Sequence, residues 1–283
     1  MVAESPIDMA APRVQRIQAS RGWRALQFGE IWRFRELILV FAWRDISVTY
    51  RQAVIGIAWV VLQPLTTVLI FSILFGYLAR FPSEGLPYPV FAMAGLLPWQ
   101  YFSKAVAAGS NSLVANKAII TKSYFPRLIL PMAAVLAPLV DLAVGLPALI
   151  AIMLIYGIEP PLTILAFPLF LSMAMLLALG LSMCLSGLNA LYRDVAIALP
   201  FGLQIGMYVT PIIYPVSFIP EPWQWLIKIN PMTGIIGALR WSALDAGALD
   251  IPALAISAAW IVAFLAAGVQ IFHRIGGQVA DRV

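Results

Sequence analysis

Charge is scarce in this chain: Asp, Glu, Lys and Arg make up 11% of its 283 residues, against about 25% in a soluble domain. Cysteine and histidine are scarcer, with one of each, Cys184 and His273. That excludes an internal disulfide framework and any Cys/His metal cluster. No GxxxxGK[ST] segment occurs, so the chain cannot hydrolyse ATP through a phosphate-binding loop. With its only histidine beyond the last apolar run, a Ser/His/Asp catalytic set is not credible either. The first 30 residues hold Glu4, Asp8 and Glu30 and no apolar core, so no signal peptide is expected. These absences point to a conduit worked by a partner, not to an enzyme, with no cofactor or metal in this chain.

Apolar residues fill what the charges leave, at 62% of the sequence, the composition of an integral membrane protein. The organising stretch is 41–64, FAWRDISVTYRQAVIGIAWVVLQP. It is charged and aromatic up to Arg51, and from Ala53 no charge returns until Arg80. About 27 residues at ~1.5 Å rise give ~40 Å of helix, enough to cross a bilayer with tilt. The segment before it, 23–50, holds a short apolar run ending in Trp43 and reads as an amphipathic helix lying in the interface. Residues 1–22 read as a flexible cytoplasmic tail.

After the first span, at 53–79, further spans are predicted at 89–115, 128–157, 162–190, 196–213 and 251–272. The expected fold class is an all-α integral membrane protein with six transmembrane helices. The external segment 214–247 is rich in Pro and Trp. Two short amphipathic pieces within it, 222–229 and 231–244, are expected to dip into the outer leaflet as re-entrant helices before the last span. Fourteen Lys and Arg fall on one set of flanks, including Arg44, Arg51, Lys117, Lys122, Arg127, Arg193 and Arg282. Only Arg80, Lys228 and Arg240 fall on the other. Basic residues are retained on the cytoplasmic side, so both termini are expected there. The net charge of +5 follows from the same bias and calls for no nucleic acid.

The pattern WRD-x4-YRQ-x3-G-x2-W-x3-QP, here Trp43 to Pro64, resembles the start of ABC-2 type permeases. Within that family the chain looks like the members that export polysaccharide: O-antigen, capsule and teichoic acid. The resemblance runs from about Trp23 onward. It implies a homodimer in the bacterial inner membrane, among membrane lipid, with two copies of a separate ABC ATPase that binds ATP and Mg²⁺. It also implies an undecaprenyl-diphosphate-linked polysaccharide as substrate. The family's coupling loop falls at 116–127, through Asn116, Lys117, Lys122, Ser123, Tyr124 and Arg127. A second short loop holds Arg193 and Asp194. By composition alone, both are also ordinary loops of a basic inner face. The region 214–247 then flanks an external gate, with Trp223, Trp225, Asn230, Arg240 and Trp241; the tryptophans also fit as interface anchors.

Three polar stripes lie within the predicted spans. Gln63, Thr67, Ile70, Leu74 and Tyr77 share one helical face, Tyr101, Lys104, Ala108 and Asn111 a second, and Gln204 and Tyr208 a third. Each either lines a conduit, where hydroxyls meet hydrogen bonds and sugar faces meet aromatic rings, or bonds neighbouring helices. Lys104 and Asp141 are charges within the membrane, which is costly. They form an ion pair, or Lys104 faces an anionic substrate. Arg44 and Arg51 meet either lipid headgroups or a lipid diphosphate. Rival readings are an ABC-2 permease for a drug or simple lipid, a membrane glycosyl- or phosphotransferase, and an ion-coupled carrier. A transferase would need paired acids, whereas Asp141 and Asp194 stand apart; a carrier would need an inverted repeat.

Overall fold

The computed structural model describes residues 28–51, 56 and 58–275, and among these there is helix but no strand. The predicted tail, the start of the interfacial segment and the first residues of the first span lie outside the described residues, as does Arg282. Helices α1 (Phe28–Arg33) and α2 (Arg35–Arg51) occupy the segment expected to lie in the interface. Helix α2 is apolar on two sides. Ile38, Phe41 and Ala42 are buried, while Leu39, Val40 and Trp43 are exposed.

The first span is α3 (Ala58–Phe71) continued by π-helical turns over Ser72–Leu78. Here the Ser72 hydroxyl donates to the Val68 carbonyl at 2.6 Å, and the Ala79 N–H reaches back five residues to Leu74 at 2.9 Å. A side chain competing for the backbone ladder is one route to such widened turns. Next come α4 (Tyr88–Ala115), the short α5 (Lys117–Lys122), α6 (Ile129–Leu136) and α7 (Leu139–Ile155). The third span was expected as one helix over 128–157. It is instead broken at Ala137–Pro138, because Pro138 has no N–H to continue the ladder.

A 3₁₀ turn (Leu162–Ala166) leads into α8 (Phe167–Leu191), then α9 (Asp194–Val209). Two short helices, α10 (Glu221–Lys228) and α11 (Pro231–Leu244), precede α12 (Ile251–Ile275). Among the described residues, four segments are long and apolar enough to cross a membrane: Ala58–Leu78, Ile129–Ile155, Leu162–Leu191 and Ile251–Phe272. The second predicted span is α4, whose 28 residues include Lys104. The fifth is helical only through α9, whose 16 residues reach ~24 Å at ~1.5 Å each.

Helix α4 stands at the centre, against α3, α6, α7, α8 and α11. Being wrapped in protein, it can carry polar groups that a lipid-facing helix could not. Helix α8 packs in turn on α12. At Gly180 their backbones come so near that a Cβ would lie 2.9 Å from the Leu265 nitrogen. Small residues allow such approach where lipid offers no hydrophobic drive.

The main core runs along α4, α8 and α11. A second cluster closes the end that holds α5: Ile38, Phe41 and Ala42 of α2 meet Leu113, Phe125, Ile129, Leu130 and Ala133. The Phe41 and Phe125 rings are 5.6 Å apart. At the opposite end α10 and α11 cap the bundle.

Candidate functional site

Inside the bundle, Lys104 of α4 and Asp141 of α7 form an ion pair, with Nζ 2.5 Å from Oδ2. Their side chains are 37% and 19% exposed. The carboxylate's other oxygen, Oδ1, accepts from the Tyr50 hydroxyl at the end of α2. Three helices thus meet at one carboxylate. The sequence left pairing and substrate contact open for Lys104, and in the structure the pair is made. Tyr50 was missed as a partner. The YRQ triplet marks it, but nothing in the spacing of residues 50 and 141 links them. A cavity of about 10 Å³ beside the pair is lined by Val60, Leu97, Gln100 and Tyr101, room for about one water. One to two turns beyond Lys104 on the same side of α4, Ala107, Ala108 and Asn111 are exposed.

The other conduit candidates divide. On the first span Gln63, Ile70, Leu74 and Tyr77 are exposed, and Thr67 is half-buried with its hydroxyl donated to the Gln63 carbonyl. Gln204 and Tyr208 are exposed on α9, a helix with no buried residue. Tyr101 departs from its predicted stripe. It is 1% exposed, and its hydroxyl donates to the Val135 carbonyl at 3.3 Å, beside the α6–α7 break. Its role in the structure is to bond a neighbouring helix. An apolar cavity of about 360 Å³ lies beside α9, with Trp99, Phe102, Leu203, Trp260 and Phe264 in its wall.

At the α5 end, Arg44 is engaged already: Nη2 lies 2.7 Å from Asp45 Oδ1 and the guanidinium 5.0 Å over the Phe41 ring. Arg51 is exposed. Among the coupling-loop residues Lys117, Lys122, Ser123 and Tyr124 are exposed, Tyr124 at 71%. Arg127 is half-buried. Asn116 does not join them. It is buried, and its Nδ2 donates to the Ser112 carbonyl at 2.8 Å, closing the end of α4. Arg193 and Asp194 are exposed at the start of α9.

At the other end, Trp223 and Trp225 are exposed, and Trp241 packs edge-on against Phe170. Asn230, expected beside a gate, holds two elements of the fold together. Its side chain accepts from the Met232 N–H to cap α11, and its Nδ2 donates to Thr210 Oγ1 at 2.8 Å. Arg240, also expected beside the gate, is 5% exposed. Its Nη2 donates to the Pro211 and Ile212 carbonyls at 3.2 and 3.0 Å, and its guanidinium lies 3.8 Å over Phe91. A Cβ on Gly95 would come 2.5 Å from that Nη2. A glycine in α4 therefore makes the space a buried guanidinium needs.

Lys228 of α10 meets Asp250 at 2.7 Å, just before α12. Burial alone would raise the Asp250 carboxyl. The bond and charge from Lys228, with the Ala253 N–H, outweigh it and hold the group below its ordinary 3.8. A depressed carboxyl contributes stability above its unfolded value, and that stability is lost as pH falls through the native one. Both side chains are about a third exposed, at 30% and 35%, so the contribution is below about 1 kcal/mol. Asp250→Asn should lower Tm slightly at pH 7, and the gap from wild type should close below about pH 4. A gap that stays constant down to pH 3 would contradict this.

Three sets of relatives bear on the identity. The family model described as ABC-2 type transporter matches residues 36–244. The O-antigen export system permease protein RfbA of Klebsiella pneumoniae is 30% identical over 250 residues, 87% of this chain and 94% of that protein. The protein of the same name from Myxococcus xanthus is 26% identical over 90% of this chain and 98% of its own length. The polysialic acid transport protein KpsM of Escherichia coli is 22% identical over 70% and 77%. With the family model spanning the bundle from α2 to the end of α11, the chain belongs to the ABC-2 type transporter family.

Proposed function

We propose that this chain is the membrane subunit of an ABC exporter that moves a lipid-linked, O-antigen-like polysaccharide out of the cytoplasm. The supporting observation is the near end-to-end similarity to O-antigen export permeases, 94% of one relative's length. In this reading α4 and α9 complete six spans in the inner membrane, the α5 end is cytoplasmic with both termini, and α10 and α11 re-enter from outside. A single copy leaves Gln63, Leu74 and Tyr77 of the first span and Gln204 and Tyr208 of α9 open. A second copy would enclose those faces as a polar and aromatic path for sugar. Arg51, exposed where Arg44 is paired, is the better candidate for an undecaprenyl diphosphate. ATP and Mg²⁺ would be bound by two partner ATPases docked on α5 and the Arg193–Asp194 turn. Export of capsule, teichoic acid, a drug or a simple lipid has less support, since the polysialic acid relatives are 22% identical.

Replacing Lys122 and Tyr124 together by alanine should weaken co-purification of the ATPase by tenfold or more, about 1.4 kcal/mol. Export should fall with it, while insertion and Tm are kept because both side chains are exposed. Normal export and normal association in that variant would remove α5 from the mechanism.

A further inference from the structure

Asp141 joins two parts of the molecule that a transporter must connect. Its Oδ2 holds Lys104 in the bundle, and its Oδ1 holds Tyr50 on the last turn of α2. Helix α2 belongs to the α5 end. Its Phe41 packs on Phe125, one residue beyond exposed Tyr124, and Ile38 and Ala42 share the same cluster. Ile119 and Ile120 of α5 pack on the same cluster, so α5 and α2 share one apolar contact that leads to Tyr50. An O–H···O bond holds over a separation range of only about 0.5 Å. A shift of α2 by about 1 Å along its axis would break it.

We infer that Tyr50 is a positioning residue: it turns Asp141 so that Oδ2 keeps Lys104, making the exposure of Lys104 depend on where α2 lies. With Tyr50 withdrawn, Asp141 loses one of its two anchors, and the Lys104 ammonium leaves it more often for the exposed flank at Ala108 and Asn111. There it meets an anionic group, a diphosphate or an acidic sugar. The coupling part of this inference rests on the exporter reading above, whereas the positioning part rests on geometry alone.

Tyr50→Phe tests both, since it keeps the ring and removes only the hydroxyl. The first readout is acetylation of Lys104 by acetic anhydride in the detergent-purified chain, followed by peptide mass spectrometry. Loss of a hydrogen bond to a charged group should raise Lys104 labelling about tenfold over wild type, with Tm lowered by no more than a few degrees. Unchanged labelling, or a Tm lowered by more than a few degrees, would overturn the assignment. The second readout is export per ATP hydrolysed in cells carrying the chain with its ATPase, using tritiated sugar in the surface polysaccharide. That ratio should also fall about tenfold. In the Lys104→Ala/Asp141→Ala background Tyr50→Phe should change nothing more, and an equal fall there would show that Tyr50 acts by another route. No ATP-driven export by the wild type would overturn the exporter reading and leave the labelling result to decide the positioning by itself.

Discussion

Lys104→Ala and Asp141→Ala should each lower the unfolding temperature in detergent, and the double variant should recover most of the loss. Removing one partner of a buried pair costs about 3–5 kcal/mol because a charge is left without its counter-ion. The pair here is only part-buried, so about 3 kcal/mol is the expected scale for either single change. The two exposures also rank the variants. Asp141 is 19% exposed and Lys104 37%, so Lys104→Ala strands the less solvated charge and should be the costlier. The Tyr50 hydroxyl still donates to the abandoned carboxylate, but one neutral donor offsets only part of a lost ion pair. Thermal unfolding of the four proteins gives the coupling energy directly. Additive losses across the cycle would show that the ion pair contributes nothing to the fold. A Lys104→Ala protein of full stability that exports poorly would place the ammonium on the substrate instead.

Arg240→Ala should be the most damaging single change at the α10 end. It removes the donor to two main-chain carbonyls, Pro211 and Ile212, in the turn after α9. Each buried carbonyl left without a partner costs about 1–3 kcal/mol, and the space vacated over Phe91 adds a cavity term. Against this, deleting the cation also deletes the cost of burying it, and Nε has no hydrogen-bond partner among the described residues. The net expectation is a loss of about 2–4 kcal/mol. Arg240→Lys should recover little of it. An ammonium has no planar face to lay on Phe91 and cannot reproduce the fork of the guanidinium. Wild-type Tm in Arg240→Ala would mean that desolvation cancels every contact the side chain makes. Gly95→Ala checks the same site from α4, since its methyl would need the space that Nη2 occupies.

The sequence carried the class of the molecule because hydrophobic length and charge bias are properties of segments. Runs without charge marked the helices α3, α8 and most of α12, and neither Asp141 in α7 nor Pro98 and Lys104 in α4 hid those helices. The exposed α5 with Lys117 and Lys122, and the short helices before α12, fell where the pattern put them.

Which way a side chain points was a different matter. Where nearly all sides of a helix are apolar, periodicity does not fix its rotation, and the same polar residue reads as lining or as bonding. Tyr101 and Asn111 share a predicted stripe, yet Tyr101 is sealed against α6 and Asn111 is exposed. The sequence counted Arg240 only as a charge on one flank, and folding turned its side chain inward onto a turn 28 residues earlier. The break at Pro138 was visible as a proline, but whether a span kinks or continues depends on what packs beside it.

The composition and order of the chain therefore determined that it is a helical membrane protein, where most of its helices run, and which family it belongs to. Only the tertiary structure decided that Tyr50, Lys104 and Asp141 meet, because residues 37 and 91 positions apart are joined by packing that no local pattern encodes.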